Sequence, residues 1–242
     1  MKYRLKIFLQ VLCACAALAA VGYASSFLAK IAAPQRAEKK FGGRAAAFAV
    51  FGGYREAIAS FVWLKAYLAW ERGDYQKCLS NIELCVELDP ENIVFWNLGA
   101  SIIAFDTPHW LFGGGKAPQS VQKSIRRRQG ALALEFLDRG LVANPKSRRL
   151  KLDKAIIYEK VFADKNAALQ WHKAACDEGA PIYVVRDCAN MLEECGRARE
   201  ALDLLLSRAG SFDKSHPSYE FYLGHIKRLE NKINSQKNML AL

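Results

Sequence analysis

Apolar residues along this chain recur at helical spacing, and the small ones among them recur at fixed intervals. Cys78, Ile82, Cys85 and Leu88 follow one another at steps of three and four, the spacing of one face of an α-helix. Pro90 then ends the run, because proline cannot donate the next backbone hydrogen bond. The same gaps return as Ala133, Leu137, Gly140 and Pro145. A third unit carries Ala155 and Tyr158, then Ala167, Trp171 and Ala174, and a fourth follows at a period of 34 residues with Ala189, Leu192, Gly196, Ala201 and Leu205. A last half-unit, YEFYLGHIKRLENKI, offers Leu223-Gly224 before turning polar, as a capping helix does. Small side chains let two helix axes cross closely when larger apolar residues sit one turn away, so each unit predicts an antiparallel helix pair. No alternating strand pattern of useful length occurs, and the expected fold class is all-α.

The Gly73-Asp74-Tyr75 turn, the small residues at Cys78 and Cys85, Pro90 and the Leu98-Gly99 pair together resemble a tetratricopeptide repeat (TPR), and the likeness extends from Ser60 to Ile233. It implies a right-handed superhelix of helical hairpins that binds other proteins, without catalysis. Lys65 and Lys154 depart from it, standing where the family prefers leucine, and an insertion at 107–129 splits the second unit. In that family the first helix of each pair lines a concave groove. Carried onto this chain, the groove would hold Ser60, Trp63, Tyr67 and Trp70, then Ile93, Trp96 and Ile103, then Leu152, Ile156 and Glu159, and last Tyr183, Arg186, Asn190 and Glu193. Its aromatic half suits an apolar helix or extended peptide, since Trp and Tyr dominate binding energy at such surfaces. The alternative is that Ala45 to Ala57 folds back and makes that stripe ordinary core.

Ahead of the repeats, Lys2, Arg4 and Lys6 precede an apolar run of 23 residues from Ile7 to Ala29, long enough to cross a bilayer as a helix. A cleaved signal peptide ending near Gly22-Tyr23-Ala24 is the rival reading, although Phe27, Leu28 and Ala29 extend the run beyond what a signal needs. A lipoprotein reading of Leu12-Cys13-Ala14-Cys15 is weaker, because the apolar run continues past it. The layout expected is therefore a membrane anchor at 1–30, an entry segment at 31–59, a solenoid at 60–233 and a tail at 234–242. GGYREAIASFVWLKA is also similar to the opening of membrane-anchored bacterial TPR proteins. This implies a single-pass protein of a bacterial inner membrane. Charge flanking the run favours a cytoplasmic repeat domain, whereas a short basic start before a long domain favours the extracytoplasmic side. The extracytoplasmic placement is the one expected.

Charge adds a second feature. Between Gly114 and Lys160 there are twelve Lys and Arg against four acids, while Ala45 to Gly113 has four against eight, within a net charge of +11. Arg126, Arg127 and Arg128, with Arg148 and Arg149, form a candidate basic patch for anionic lipid or an acidic protein. Nucleic acid is disfavoured, since no aromatic residues are interleaved with the charge. The insertion reads as a mobile loop, with Asp106, Thr107 and Pro108 ending the helix before it. Its Gly113-Gly114-Gly115-Lys116 lacks the preceding strand and the following Ser or Thr of a phosphate loop.

Candidate chemistry is sparse. Cys78, Cys85, Cys176, Cys188 and Cys195 read as buried thiols, and no Cys-x-x-Cys or histidine cluster accompanies them. His109, His172, His216 and His225 are scattered. No metal, cofactor or catalytic residue is expected, and the sequence points to a membrane-anchored scaffold whose unidentified protein partners assemble in the bacterial envelope. Two alternatives stand: an accessory subunit of an envelope transport or enzyme complex acting through the basic insertion, and a secreted soluble repeat protein cut near Ala24.

Overall fold

Local chemistry sets the bounds of each helix. The computed structural model describes residues 54–112 and 117–240, the side chains of 238–240 apart, and among these there is no strand. The apolar run Ile7–Ala29, residues 45–53 of the fold-back alternative and Gly113–Lys116 lie outside them. Helix α1 (Arg55–Glu71) and helix α2 (Tyr75–Leu88) are joined by a turn in which Gly73 takes φ +69°, a left-handed value open to glycine. Asp74 then caps α2 by accepting the Lys77 N–H at 3.2 Å. Helix α3 (Ile93–Ser101) opens on Asn92, which accepts the Val94 N–H at 3.2 Å. It runs on through a π-helical turn, Ile102–Asp106, into α4 (Thr107–Leu111), and α5 (Gln119–Ala143) returns alongside. Helix α6 (Arg148–Ile157) continues through a second π turn, Tyr158–Phe162, before α7 (Lys165–Ala175). Helices α8 (Ile182–Glu194) and α9 (Ala198–Arg208) make the fourth hairpin, and α10 (Tyr219–Leu240) closes the array.

The crossing residues occupy the places their size requires. Cys78, Ile82, Cys85, Ala133, Leu137, Ala201 and Leu205 are fully buried. A Cβ on Gly99 would stand 2.7 Å from Ile82 and 2.9 Å from Phe136, and one on Gly140 would stand 2.9 Å from the Trp96 ring, so neither helix could approach its neighbour with a larger residue there. The core falls into two clusters, one built from α1 to α6 and one from Leu152 and α7 to α10, and Tyr158 packs against both.

Four expectations are corrected. The basic stretch of the insertion is the first half of α5 rather than a loop: Pro118 sits at the N-cap, and the Gln, Lys and Arg after it are good helix formers. Likewise Thr107 and Pro108 do not end their helix. The wider π turn just before them takes up the missing proline donor, and the Thr107 hydroxyl donates to the Ile102 carbonyl at 2.9 Å. In the third hairpin the buried face of α7 is Ala168, Leu169, His172 and Ala175, one residue later than the expected Ala167, Trp171 and Ala174. The π turn Tyr158–Phe162 supplies the extra residue. Ala155 precedes left-handed Ala163 by eight positions, whereas Ala66 precedes Gly73, and Ala189 precedes Gly196, by seven. Finally, α10 buries Tyr222, Ile226 and Leu229, while Leu223 is exposed; the Tyr222 hydroxyl donates to the Leu205 carbonyl and fixes that face.

Candidate functional site

The two first helices of the third and fourth hairpins, α6 and α8, lie either side of an open groove with a cavity of about 440 Å³. Arg149, Leu152, Asp153 and Ile156 recur along one face of α6, with Glu159 from the π turn beyond it. Tyr183, Asp187, Asn190, Met191 and Glu194 do the same on α8, and His172 of α7 also lines the cavity. Leu152 and Met191 are buried, whereas Ile156 is 39% and Tyr183 59% exposed, so the groove has an apolar base with two uncovered apolar side chains beside it.

Its electrostatics are uneven. Arg149 meets Asp153 at 3.2 Å and Lys165 meets Glu194 at 3.0 Å, while Lys160 pairs with Glu159. Asp153 also accepts from the Asn97 amide at 2.8 Å. Burial nevertheless pushes the Asp153 and Asp187 carboxyls above the usual range, although the amide works against this at Asp153 and the field of His172 at Asp187. Burial pushes the His172 imidazole down, against the fields of Asp187, Glu159 and Glu194. His172 is 8% exposed and its Nδ1 has no hydrogen-bond partner.

Of the residues expected in the groove, Leu152, Ile156, Glu159, Tyr183 and Asn190 come together here. Arg186 and Glu193 belong to the α8–α10 side instead: Arg186 lines a separate cavity of about 580 Å³ with Phe221 and Arg228, and Glu193 accepts from His225 at 2.7 Å and Arg228 at 2.6 Å. In the aromatic half of the expected groove, Trp96 and Ile103 are corrected, whereas Tyr67 and Trp70 are exposed. Trp96 is 4% exposed, packs on Phe136 with ring centroids 4.7 Å apart and donates its indole N–H to the Pro90 carbonyl at 2.8 Å. Ile103 is buried with it. Both serve the first core because α3 is apolar on nearly every side, and α5 covers it. On α1, Trp63 is half-buried with its ring 5.4 Å from that of Phe95. Tyr67 stacks on Trp70, whose indole N–H donates to Asp106 at 2.8 Å.

The basic residues do not form one patch. Arg126, Arg127 and Arg128 lie on α5, with the Arg126 guanidinium 5.1 Å from the Phe112 ring centroid, and about 20 Å of helix separates them from Arg148 and Arg149. Arg148 meets Asp177 at 2.6 Å and donates to the Glu178 carbonyl at 3.1 Å, so it ties α6 to the turn after α7. Arg126, Lys123 and Lys160 instead line a larger cavity, about 970 Å³, between α5 and the two π turns, with no carboxylate among its described lining residues.

Sequence reasoning does not place His172 or Asp187 in the groove. The register shift hides His172, while Asp187 lies one helical turn after Tyr183 and is readable from that spacing. Among the described residues no group of His, Cys, Asp or Glu could hold a metal ion, and no helix is long and apolar enough to cross a membrane.

No family model matches this chain, and no curated protein matches it. Among solved structures, the crystal structure of yeast Tom70 is similar over 88% of this chain and 47% of that one, at 16% identity and a TM-score of 0.33. The chain thus spans about half the length of that structure.

Proposed function

We propose that this protein is a helical-hairpin scaffold that holds a segment of a partner protein in the groove between α6 and α8. The single observation that carries the reading is the pairing of an open cavity with uncovered Ile156 and Tyr183 on its flanks. Exposed apolar side chains bordering a concave surface are what a recognition site needs and a solvated face does not. The role proposed is binding, without catalysis. The apolar run Ile7–Ala29 would tether the scaffold to a bacterial inner membrane, with the hairpins on the extracytoplasmic side and the assembly of an envelope complex as its work.

Co-purification from detergent-solubilised membranes tests the groove. Wild type should retain a partner that the double variant Ile156→Asp, Tyr183→Asp loses while its melting temperature is unchanged. Retention by the variant would reject the groove. Carbonate extraction tests the tether, since a spanning helix keeps the full chain in the pellet and release into the supernatant would refute it.

A second reading is favoured by the cavity that Lys123, Arg126 and Lys160 line. Here an acidic partner would dock on the start of α5, as an accessory subunit would require. Reversing Lys123 and Arg126 to glutamate should abolish capture on that reading and leave it intact on the first.

A further inference from the structure

The groove between α6 and α8 carries an incomplete set of charges. Three of its four carboxylates have a cation supplied by this chain: Asp153 has Arg149, Glu159 has Lys160 and Glu194 has Lys165. Asp187 is exposed and has neither an ion pair nor a hydrogen bond among the described residues, and it lies in the electrostatic fields of His172 and of Arg186. His172 brings a second unmet requirement. Its side chain is more than nine-tenths buried, lines the same cavity and leaves Nδ1 without a partner. A buried ring nitrogen without a hydrogen bond is costly, and buried polar atoms in folded proteins nearly always find one. The unpartnered imidazole nitrogen is therefore the sign of an absent ligand group, and the carboxylate without an ion pair in the same cavity indicates the charge that group carries.

The chemistry that answers both is a cationic side chain. A lysine ammonium or arginine guanidinium offers several N–H donors at once, enough to pair with the Asp187 carboxylate and donate to the Nδ1 of a neutral His172. Its aliphatic stem would lie along exposed Ile156 and Tyr183, since long basic side chains bury their stems on apolar surface while the charge stays with its partner. The Tyr183 ring adds a face that attracts a cation.

We infer that the segment held in the groove is one that inserts a lysine or arginine side chain between Asp187 and His172. The inference rests on the reading of this groove as the partner-binding surface and names the chemical class of what it binds.

The test uses the detergent-solubilised full chain and a phage-displayed library of random dodecapeptides as probe. Peptides selected on the wild type should be enriched in Lys or Arg over the starting library. A synthetic representative should lose about tenfold or more in affinity when its basic residue is replaced by norleucine, as losing a hydrogen-bonded charge predicts. Asp187→Asn should cause a similar loss, and since Asp187 is exposed this near-isosteric change leaves the fold in place, which an unchanged melting temperature verifies. His172→Phe should weaken the same peptide, and the norleucine comparison stands even where that variant fails to fold. Peptides that depend on Ile156 and Tyr183 but bind within twofold after both Asp187→Asn and the norleucine change would overturn this inference and leave the groove reading intact. Failure to select any peptide, or selection of peptides indifferent to every groove variant, would overturn both.

Discussion

Replacing Trp96 by alanine separates two opposed placements of the second hairpin. If Trp96 faced an open groove, truncation would change binding and leave stability nearly untouched. It is instead 4% exposed, its ring packs on Phe136 and blocks any Cβ on Gly140, and its N–H donates to the Pro90 carbonyl at 2.8 Å. Truncating a buried aromatic residue in such a site costs about 3 to 5 kcal/mol, the spread reflecting how far the walls collapse. Gly140 and Leu150 cannot move in freely, because α5 and α6 also frame neighbouring contacts, so the upper part of that range is expected. For a chain of this size each kcal/mol lowers the melting temperature by roughly 2 to 4 °C, giving a drop of roughly 10 °C or more. Trp96→Phe keeps an aromatic ring and loses the N–H, which costs about 1 kcal/mol for the bond with no further penalty at the carbonyl, since Pro90 still accepts from the Asn144 amide at 2.8 Å. Thermal unfolding followed by circular dichroism at the helical band reads both variants against the wild type. A Trp96→Ala midpoint within about 2 °C of wild type, a shift matching less than roughly 1 kcal/mol, would refute the core placement.

Other consequences follow from the same geometry. Ala163 holds φ 55° at the turn where the first and fourth hairpins use Gly73 and Gly196; Ala163→Gly should raise stability by up to about 1 kcal/mol, because relief of left-handed strain slightly exceeds the entropy glycine adds to the unfolded chain. Denaturant titration measures this, and a loss of stability would contradict the strain. The folded pKa of His172 is depressed by burial, so its neutral form supports the fold above the unfolded value near 6.5 and that support is lost as pH falls through the folded pKa. Wild type should therefore lose more stability between pH 7.5 and pH 5 than His172→Gln, with the raised Asp187 working weakly in the opposite sense; parallel curves would refute it. Burial pushes Cys78 up to about 11 and Cys85 up to about 12, and both are fully buried while Cys195 is half-exposed. Among the described cysteines, a thiol reagent at pH 8 should label Cys195 in the folded chain and reach Cys78, Cys85 and Cys188 only after denaturation, and rapid labelling of Cys78 in the folded chain would reject the crossing.

The hairpins were legible because close crossing demands small residues, and Cys78, Cys85, Ala133, Gly140 and Ala201 announce it. The two π turns were not, since one extra residue in a helix leaves no signal in composition, yet the second of them rotates α7 and brings His172 to the groove. The buried side of α3 was illegible for another reason: Ile93, Val94, Phe95, Trp96 and Leu98 leave little polar contrast to mark a face. Asp106, Thr107 and Pro108 suggested that a helix ends and a loop follows, although proline at a helix start is a beginning rather than a break. Half of the groove was nonetheless readable, because Leu152, Ile156, Tyr183 and Asn190 keep helical spacing on the first helices of their hairpins.

The most direct test is photo-crosslinking in intact cells, with p-benzoylphenylalanine placed singly at Tyr183, at Ile156 and at Val142, which is 85% exposed on α5. Discrete adducts with the same polypeptide from Tyr183 and Ile156, and none from Val142, are the predicted result. Adducts from Val142 alone, or none from either groove position, would contradict the groove.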